Sequence, residues 1–198
     1  MKFYHEITII PNHEVGEHFI WSKLFTQIHL ALVSIKEIDQ DGIEKSPIGI
    51  SFPEYFLGEK FGVIGSKLRL FAQSESELQK LNIQKHLSRL SDYIHISGIR
   101  EVPQKINGYA IYSRHQPKVN KERLARRHAK RHNLSDSEAL KHYETMQKKR
   151  VDLPFINLKS LSGGNDFCLW IRKNAVNELN YQKFSTYGLS GVSSLPEF

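Results

Sequence analysis

The sequence predicts an α+β protein in two parts. Residues 1–103 read as a ferredoxin-like βαββαβ domain, and residues 104–198 as a C-terminal region with an arginine-rich helix at 121–132, a second helix and a β-hairpin. Three observations lead there. In the first part, short runs of period-two alternation are interleaved with two longer stretches of helical spacing. After Val102-Pro103 that order stops. From Arg114 to His132 the charge then becomes local: eight Lys or Arg (114, 118, 121, 123, 126, 127, 130, 131) stand against one acid, Glu122, and the resulting +7 equals the net charge of the whole chain.

Phe3, His5, Ile7 and Ile9 share one face of a strand that Pro11 ends. Trp21, Leu24, Phe25, Ile28, Leu32 and Ile35 recur at helical spacing between Glu17 and Lys36. Ile48 to Phe52, closed by Pro53, and Lys67 to Ala72 read as strands. Ser74-Glu75-Ser76-Glu77 is a capping box opening a helix whose apolar stripe runs through Leu78, Leu81, Leu87 and Leu90. Tyr93 to Ile99 returns to strand. Beyond the Asn107-Gly108 turn, Tyr109 to Gln116 is extended.

Asn120 can cap a helix from Lys121, with Glu122 in the first turn where the dipole favours an acid. On that helix Arg123, Arg126, Arg127, Lys130 and Arg131 fall within an arc of roughly 140°. Neighbouring cations repel, and twelve residues or so make only a marginal helix alone, so a polyanion is expected to complete it. A solvated face would mix signs; this one does not. Ser135-Asp136-Ser137-Glu138 is a second capping box, opening a helix to about Lys149. Leu153 to Ser160 and Asp166 to Lys173 read as a hairpin around Ser162-Gly163-Gly164-Asn165. A looser strand near Lys183 to Tyr187 and a Ser/Gly-rich end follow.

Composition narrows the chemistry. Hydrophobic content of 39% with 11% aromatics argues for a folded chain, and a single cysteine, Cys168, permits no internal disulfide and no cysteine-rich zinc site. No stretch reads as a signal peptide or a membrane span, so a cytoplasmic protein is expected. His128 and His132 stand at i, i+4, but no Glu follows the first as a zinc protease needs, and no metal or other cofactor is expected. Walker, dinucleotide and Gly-x-Ser-x-Gly motifs are absent from the sequence.

His29 lies at the edge of the first helix's apolar stripe, where a lone histidine is more often packed than catalytic. A partly buried imidazole is nevertheless suited to taking a proton from a sugar hydroxyl without metal. Ser160 ends a strand before a glycine loop, and Tyr187 precedes Gly188. No local spacing joins the three.

Six stretches, in this order along the chain, closely resemble the type I-F CRISPR RNA-processing endoribonucleases, the Cas-six family of the Csy-four type. They are Gln27-Ile28-His29-Leu30-Ala31-Leu32, Ile48-Gly49-Ile50-Ser51-Phe52-Pro53, Ser113-Arg114-His115-Gln116, Asn120-Lys121-Glu122-Arg123-Leu124-Ala125-Arg126-Arg127, Asp152-Leu153-Pro154-Phe155 and Tyr187-Gly188-Leu189-Ser190. The resemblance implies a metal-independent endoribonuclease that binds the hairpin of a CRISPR repeat and cuts at the 3′ base of its stem. The RNA's 2′-hydroxyl is the nucleophile and the upstream product ends in a 2′,3′-cyclic phosphate. It also implies that the protein keeps its product as a subunit of a type I-F crRNA surveillance complex.

By the same resemblance His29 matches the catalytic histidine, Ser160 the serine holding the 2′-hydroxyl, and Tyr187 the tyrosine orienting the histidine. Arg114 and Gln116 match the pair that reads bases at the foot of the stem, a task for which Arg on guanine and Gln on adenine are suited. Phe167 matches an aromatic that stacks on a terminal base. The basic helix matches the family's arginine-rich helix, with Arg123, Arg126, Arg127, Lys130, Arg131 and His132 toward the RNA. Lys130 departs from the family's arginine, which turns a bidentate phosphate grip into a point charge. The segment between Val33 and Pro47 is longer, and the Ser162 to Asn165 loop lacks the fuller glycine-rich pattern of the wider superfamily. Two rival readings remain at this level: a helix-turn-helix DNA-binding protein built on 121–149, and a non-catalytic RNA-binding subunit.

Overall fold

Alternating burial along β1 (Phe3–Ile9) makes it the centre of the first sheet, with Ile7 and Ile9 buried and His5 donating from Nδ1 to the Ser97 carbonyl at 2.8 Å. The computed structural model describes residues 1–59, 61–117, 121–143, 151–160 and 163–198, and of 121–123 only the backbone. The next element, α1 (Glu17–Ser34), buries Ile20, Trp21, Leu24, Phe25, Ile28, Ala31 and Leu32 along the expected stripe. Each large side chain removed from water there contributes about 1.5–3 kcal/mol. The longer segment after α1 holds a small hairpin, β2 (Glu37–Ile38) with β3 (Glu44–Lys45), followed by β4 (Gly49–Ser51). A second small hairpin, β5 (Phe56–Leu57) with β6 (Gly62–Val63), precedes β7 (Lys67–Ala72).

The capping box at Ser74 forms as expected, its hydroxyl accepting from the Glu77 amide, but the helix it opens does not run on to Leu90. It divides into α2 (Glu75–Leu81) and α3 (Ile83–Leu87), because Asn82 takes a left-handed conformation (φ 46°) that asparagine tolerates and that stops the first helix. A single 3₁₀ turn leads to β8 (Ile94–Ile96) and β9 (Arg100–Glu101). The sheet order is β4–β7–β1–β8, with β9 also on β1 and all neighbours antiparallel. The chain is thus a mixed α/β protein with several sheets and few helices.

β10 (Gly108–His115) begins the second large sheet. The chain then forms α4 (Lys121–His132) and α5 (Asp136–Lys141) before returning as β11 (Phe155–Lys159), β12 (Asp166–Val176) and β13 (Leu195–Glu197), in the sheet order β11–β12–β10–β13. The strand expected near Lys183 to Tyr187 is a correction: only an isolated bridge, Ser46 with Phe184, occurs there. Serine side chains take up the local backbone instead, with Ser193 Oγ accepting from the Gln182 amide and Ser194 Oγ from that of Asn180. The last strand, β13, lies where the sequence reads as a Ser/Gly-rich end.

The described chain forms two units, Met1–His115 with Leu153–Phe198, and Gln116–Asp152. In the first, one apolar core runs from the β1 sheet through α1 to the inward side of the β12 sheet, with Phe52 in ring contact with Trp21, Phe25 and Tyr112. In the second, Ala125 and Ala129 of α4 bury against Ala139 of α5, with Tyr143 packed alongside. Small side chains let the two helices approach, and the Ser135 capping box with Glu138 starts α5 as expected. The second helix ends at Lys141, with His142 as its C-cap, short of the expected Lys149, while the expected Asn120 cap, the Arg123 side chain and Ser162 lie outside the described residues.

Candidate active site

One turn of α1 beyond Phe25, His29 is half-buried at the rim of the apolar stripe, next to the fully buried Ile28. Its ring is held on two sides by the segment that follows the Ser46–Phe184 bridge. Nδ1 is 2.8 Å from the Thr186 carbonyl, and a carbonyl only accepts, so Nδ1 carries a proton and, in the neutral imidazole, Nε2 has the free lone pair. The Tyr187 ring lies parallel to the imidazole, with centroids 4.1 Å apart and planes within 8°.

The turn that presents Thr186 and Tyr187 depends on Gly188. Its φ is +70°, its amide donates to the Ser185 carbonyl, and its own carbonyl accepts from Ile50. A Cβ at this position would sit 2.4 Å from Ile50 Cγ1. Gly188→Ala is therefore expected to cost about 1–3 kcal/mol of stability and to lower any activity that uses His29, as thermal melts and rate measurements on the same preparation would show.

Ser160 follows β11 and closes its hairpin with β12. Its amide donates to Asn165, its carbonyl accepts from Gly164, and its Oγ accepts from the Gly163 amide at 3.2 Å. Phe167 stands opposite Leu158 in this hairpin. Together Thr26, His29, Leu158, Lys159, Ser160, Phe167 and Tyr187 line one open cavity of about 240 Å³. The structure thus brings together four residues singled out in the sequence, which lie at positions 29, 160, 167 and 187. Arg114 joins them from β10: its guanidinium carbon is 5.4 Å from the Phe167 ring centre and 5.7 Å from that of Tyr187. These are cation–π distances, so the exposed arginine is held beside two of the cavity's aromatic rings.

Three residues here were missed by sequence reasoning. The Thr186 carbonyl that sets the imidazole's tautomer is a backbone group with no sequence signature. Lys159 and Thr26 line the same cavity, and only their neighbourhood in sequence to Ser160 and His29 gave any sign of it.

Gln116 and the basic helix belong to the second unit, where Gln116, Arg126, Arg127, Lys130, Arg131 and His132 are all exposed. The buried alanines occupy the other side of α4, so the helix carries its arginines on the surface it does not pack. His128 touches His132 and His142 through its ring, and its Nδ1 is buried without a hydrogen-bond partner among the described residues. Burial first, and then the charges of His132, His142 and Arg131, hold its pKa below the ordinary histidine value, so it packs as a neutral ring.

The family model described as "CRISPR-associated protein (Cas_Csy4)" matches residues 4–198. Two curated relatives are named CRISPR-associated endonuclease Cas6/Csy4. The one from Escherichia coli (strain UTI89 / UPEC) is 34% identical and the one from Pseudomonas aeruginosa (strain UCBPP-PA14) 35% identical, each over 199 residues that cover all of both chains. A solved RAMP protein binding different RNA substrates is 10% identical, with a TM-score of 0.36 over 98% of this chain and 99% of that one, too distant to carry an argument. No described helix is long and apolar enough to cross a membrane.

Proposed function

Because the chain belongs to the Cas_Csy4 family of CRISPR-associated proteins, we propose that it is an endoribonuclease that processes precursor crRNA. In this reading it grips the stem-loop of a CRISPR repeat and cuts at the 3′ base of the stem. The single observation that carries the catalytic assignment is the tethered His29 imidazole on the same small cavity as Ser160. His29 Nε2 takes the proton of the 2′-hydroxyl upstream of the scissile bond, while Ser160 Oγ holds that hydroxyl in place. The 2′-oxygen then bonds to phosphorus as the bond to the 5′-oxygen breaks. A 2′,3′-cyclic phosphate remains upstream, and the proton ends on the downstream 5′-hydroxyl. Tyr187 fixes the imidazole plane by stacking, and Lys159 supplies positive charge toward the phosphate. None of these roles calls on a metal or cofactor.

Recognition is divided in the same proposal. Arg114 and Gln116 read base edges at the foot of the stem, and Phe167 offers its ring to the terminal base. Arg123, Arg126, Arg127, Lys130, Arg131 and His132 hold stem phosphates from α4. Residues 1–103 act as a ferredoxin-like domain, a reading supported by the sheet order β4–β7–β1–β8, and 104–198 as the RNA-binding region. Retention of the hairpin product, and with it a place among the subunits of a type I-F surveillance complex in the cytoplasm, completes the reading.

The test is cleavage of a repeat-type RNA stem-loop beside the same sequence as DNA: the RNA is cut once at the stem base and the DNA stays intact. Arg127→Ala adds a check on the helix. It is expected to weaken binding to different stems alike and to flatten the log–log salt dependence by about 0.7–0.9, the contribution of one phosphate. A change confined to base preference would contradict the backbone role.

A further inference from the structure

The sheet β11–β12–β10–β13 has a second face that the cavity does not use. Alternation along its strands turns Tyr112, Ile156, Leu158, Leu169 and Ile171 into the core and leaves Phe155, Trp170, Arg172 and His115 on the other side. The register sets three rings in one row across three strands: Phe155 is opposite Trp170 on one side, and His115 is opposite Trp170 on the other. The Phe155 and Trp170 rings touch, with centroids 4.5 Å apart at 50°, yet Phe155 is 37% exposed.

Arg172 completes the row by donating from its guanidinium to His115 Nδ1 at 2.9 Å. A ring nitrogen that accepts carries no proton, so His115 is neutral and presents Nε2–H as a donor. Burial, followed by the Arg172 charge, pulls its pKa down and favours that form. Among the described outward positions of these strands the one acid is Asp166, at the hairpin end of β12.

Core packing does not require this row, because the inward residues already fill the other side. Two touching rings left on a sheet surface, with a guanidinium and an N–H donor beside them and little opposing charge, match an unpaired nucleotide: a base stacks on a ring and its phosphate takes the donors. A purely apolar partner would leave Arg172 and the imidazole N–H without a role. We propose that this outward face is a second RNA contact, separate from the cavity, where an unpaired nucleotide flanking the stem stacks on Phe155 and Trp170 and sets its phosphate against Arg172 and His115. The proposal rests on the reading of the chain as an RNA-processing enzyme. Successive residues of β10 then serve the two faces, Arg114 the cavity and His115 the platform.

The two tryptophans make the test direct. Trp21 is 2% exposed in the core, so quenching of tryptophan emission by an added oligonucleotide reports Trp170. Titration with single-stranded hexauridylate is expected to quench emission saturably. Phe155→Ala and, independently, the surface change Arg172→Gln are each expected to shift the midpoint about fivefold or more, while both variants cut a stem-loop trimmed to the single downstream nucleotide that forms the scissile bond at the unaltered rate. No quenching by the unaltered protein overturns the proposal, as does an unchanged midpoint in both variants. Loss in Arg172→Gln alone, with a folded Phe155→Ala variant binding normally, reduces the face to a charge and also overturns it. Should Phe155→Ala not fold, Phe155→Leu serves in its place. Cleavage of the trimmed stem-loop by the unaltered protein tests the enzymatic reading separately, since that substrate keeps only the leaving nucleotide and no further flank to stack.

Discussion

His29→Ala is expected to slow cleavage of the repeat stem-loop by about 10²–10⁴-fold, the usual contribution of a positioned general base, while changing hairpin affinity by less than about threefold. The size follows from the tether: with Nδ1–H committed to the Thr186 carbonyl, the Nε2 lone pair is the group that can accept a proton on the cavity. Alanine also removes the ring that stacks on Tyr187, so a change in packing must be told apart from loss of the base. Single-turnover rates with added imidazole make the distinction, because partial rescue requires an intact cavity lacking only its base. Melting temperatures of the two proteins check the same point. An alanine variant that cuts at the normal rate would remove His29 from the mechanism.

The second large effect is on the RNA. Replacing the nucleotide just upstream of the scissile phosphate with its 2′-deoxy form is expected to leave binding intact and to reduce cleavage below detection, since the nucleophile itself is gone. Equilibrium binding and cleavage are measured on the same labelled strand. Cutting of that strand would mean that water or a protein group attacks instead, and the pairing of His29 with Ser160 would lose its purpose.

Much of the fold was legible in the sequence because its signals were local. The two capping boxes at Ser74 and Ser135, the α1 stripe, the extended β10 leading toward a basic helix and the β11–β12 hairpin all follow from spacing and turn chemistry within a few residues. The misses have the same explanation in reverse. Asn82 breaks a helical stripe by its own backbone preference while the apolar pattern runs on, and the segment from Lys183 to Ser194 is organised by serine side chains that no periodicity records.

The site was legible residue by residue but not as a place. His29, Ser160, Phe167 and Tyr187 are separated by as many as 158 positions along the 198-residue chain, and resemblance to a family, not spacing, singled them out. Only the fold puts them on one cavity. The Thr186 carbonyl and the positive-φ turn at Gly188 that presents it are backbone features, which side-chain identity does not encode. The row Phe155–Trp170–His115 likewise exists only once the strand register is known.

The most direct test of the mechanism is incubation of a labelled repeat stem-loop with the protein in EDTA, followed by identification of both new termini. The account predicts one cut at the 3′ base of the stem, unaffected by the chelator, with a 2′,3′-cyclic phosphate on the upstream fragment and a 5′-hydroxyl on the downstream one. A cut that needs a divalent ion, or one that leaves a 3′-hydroxyl and a 5′-phosphate, would contradict it.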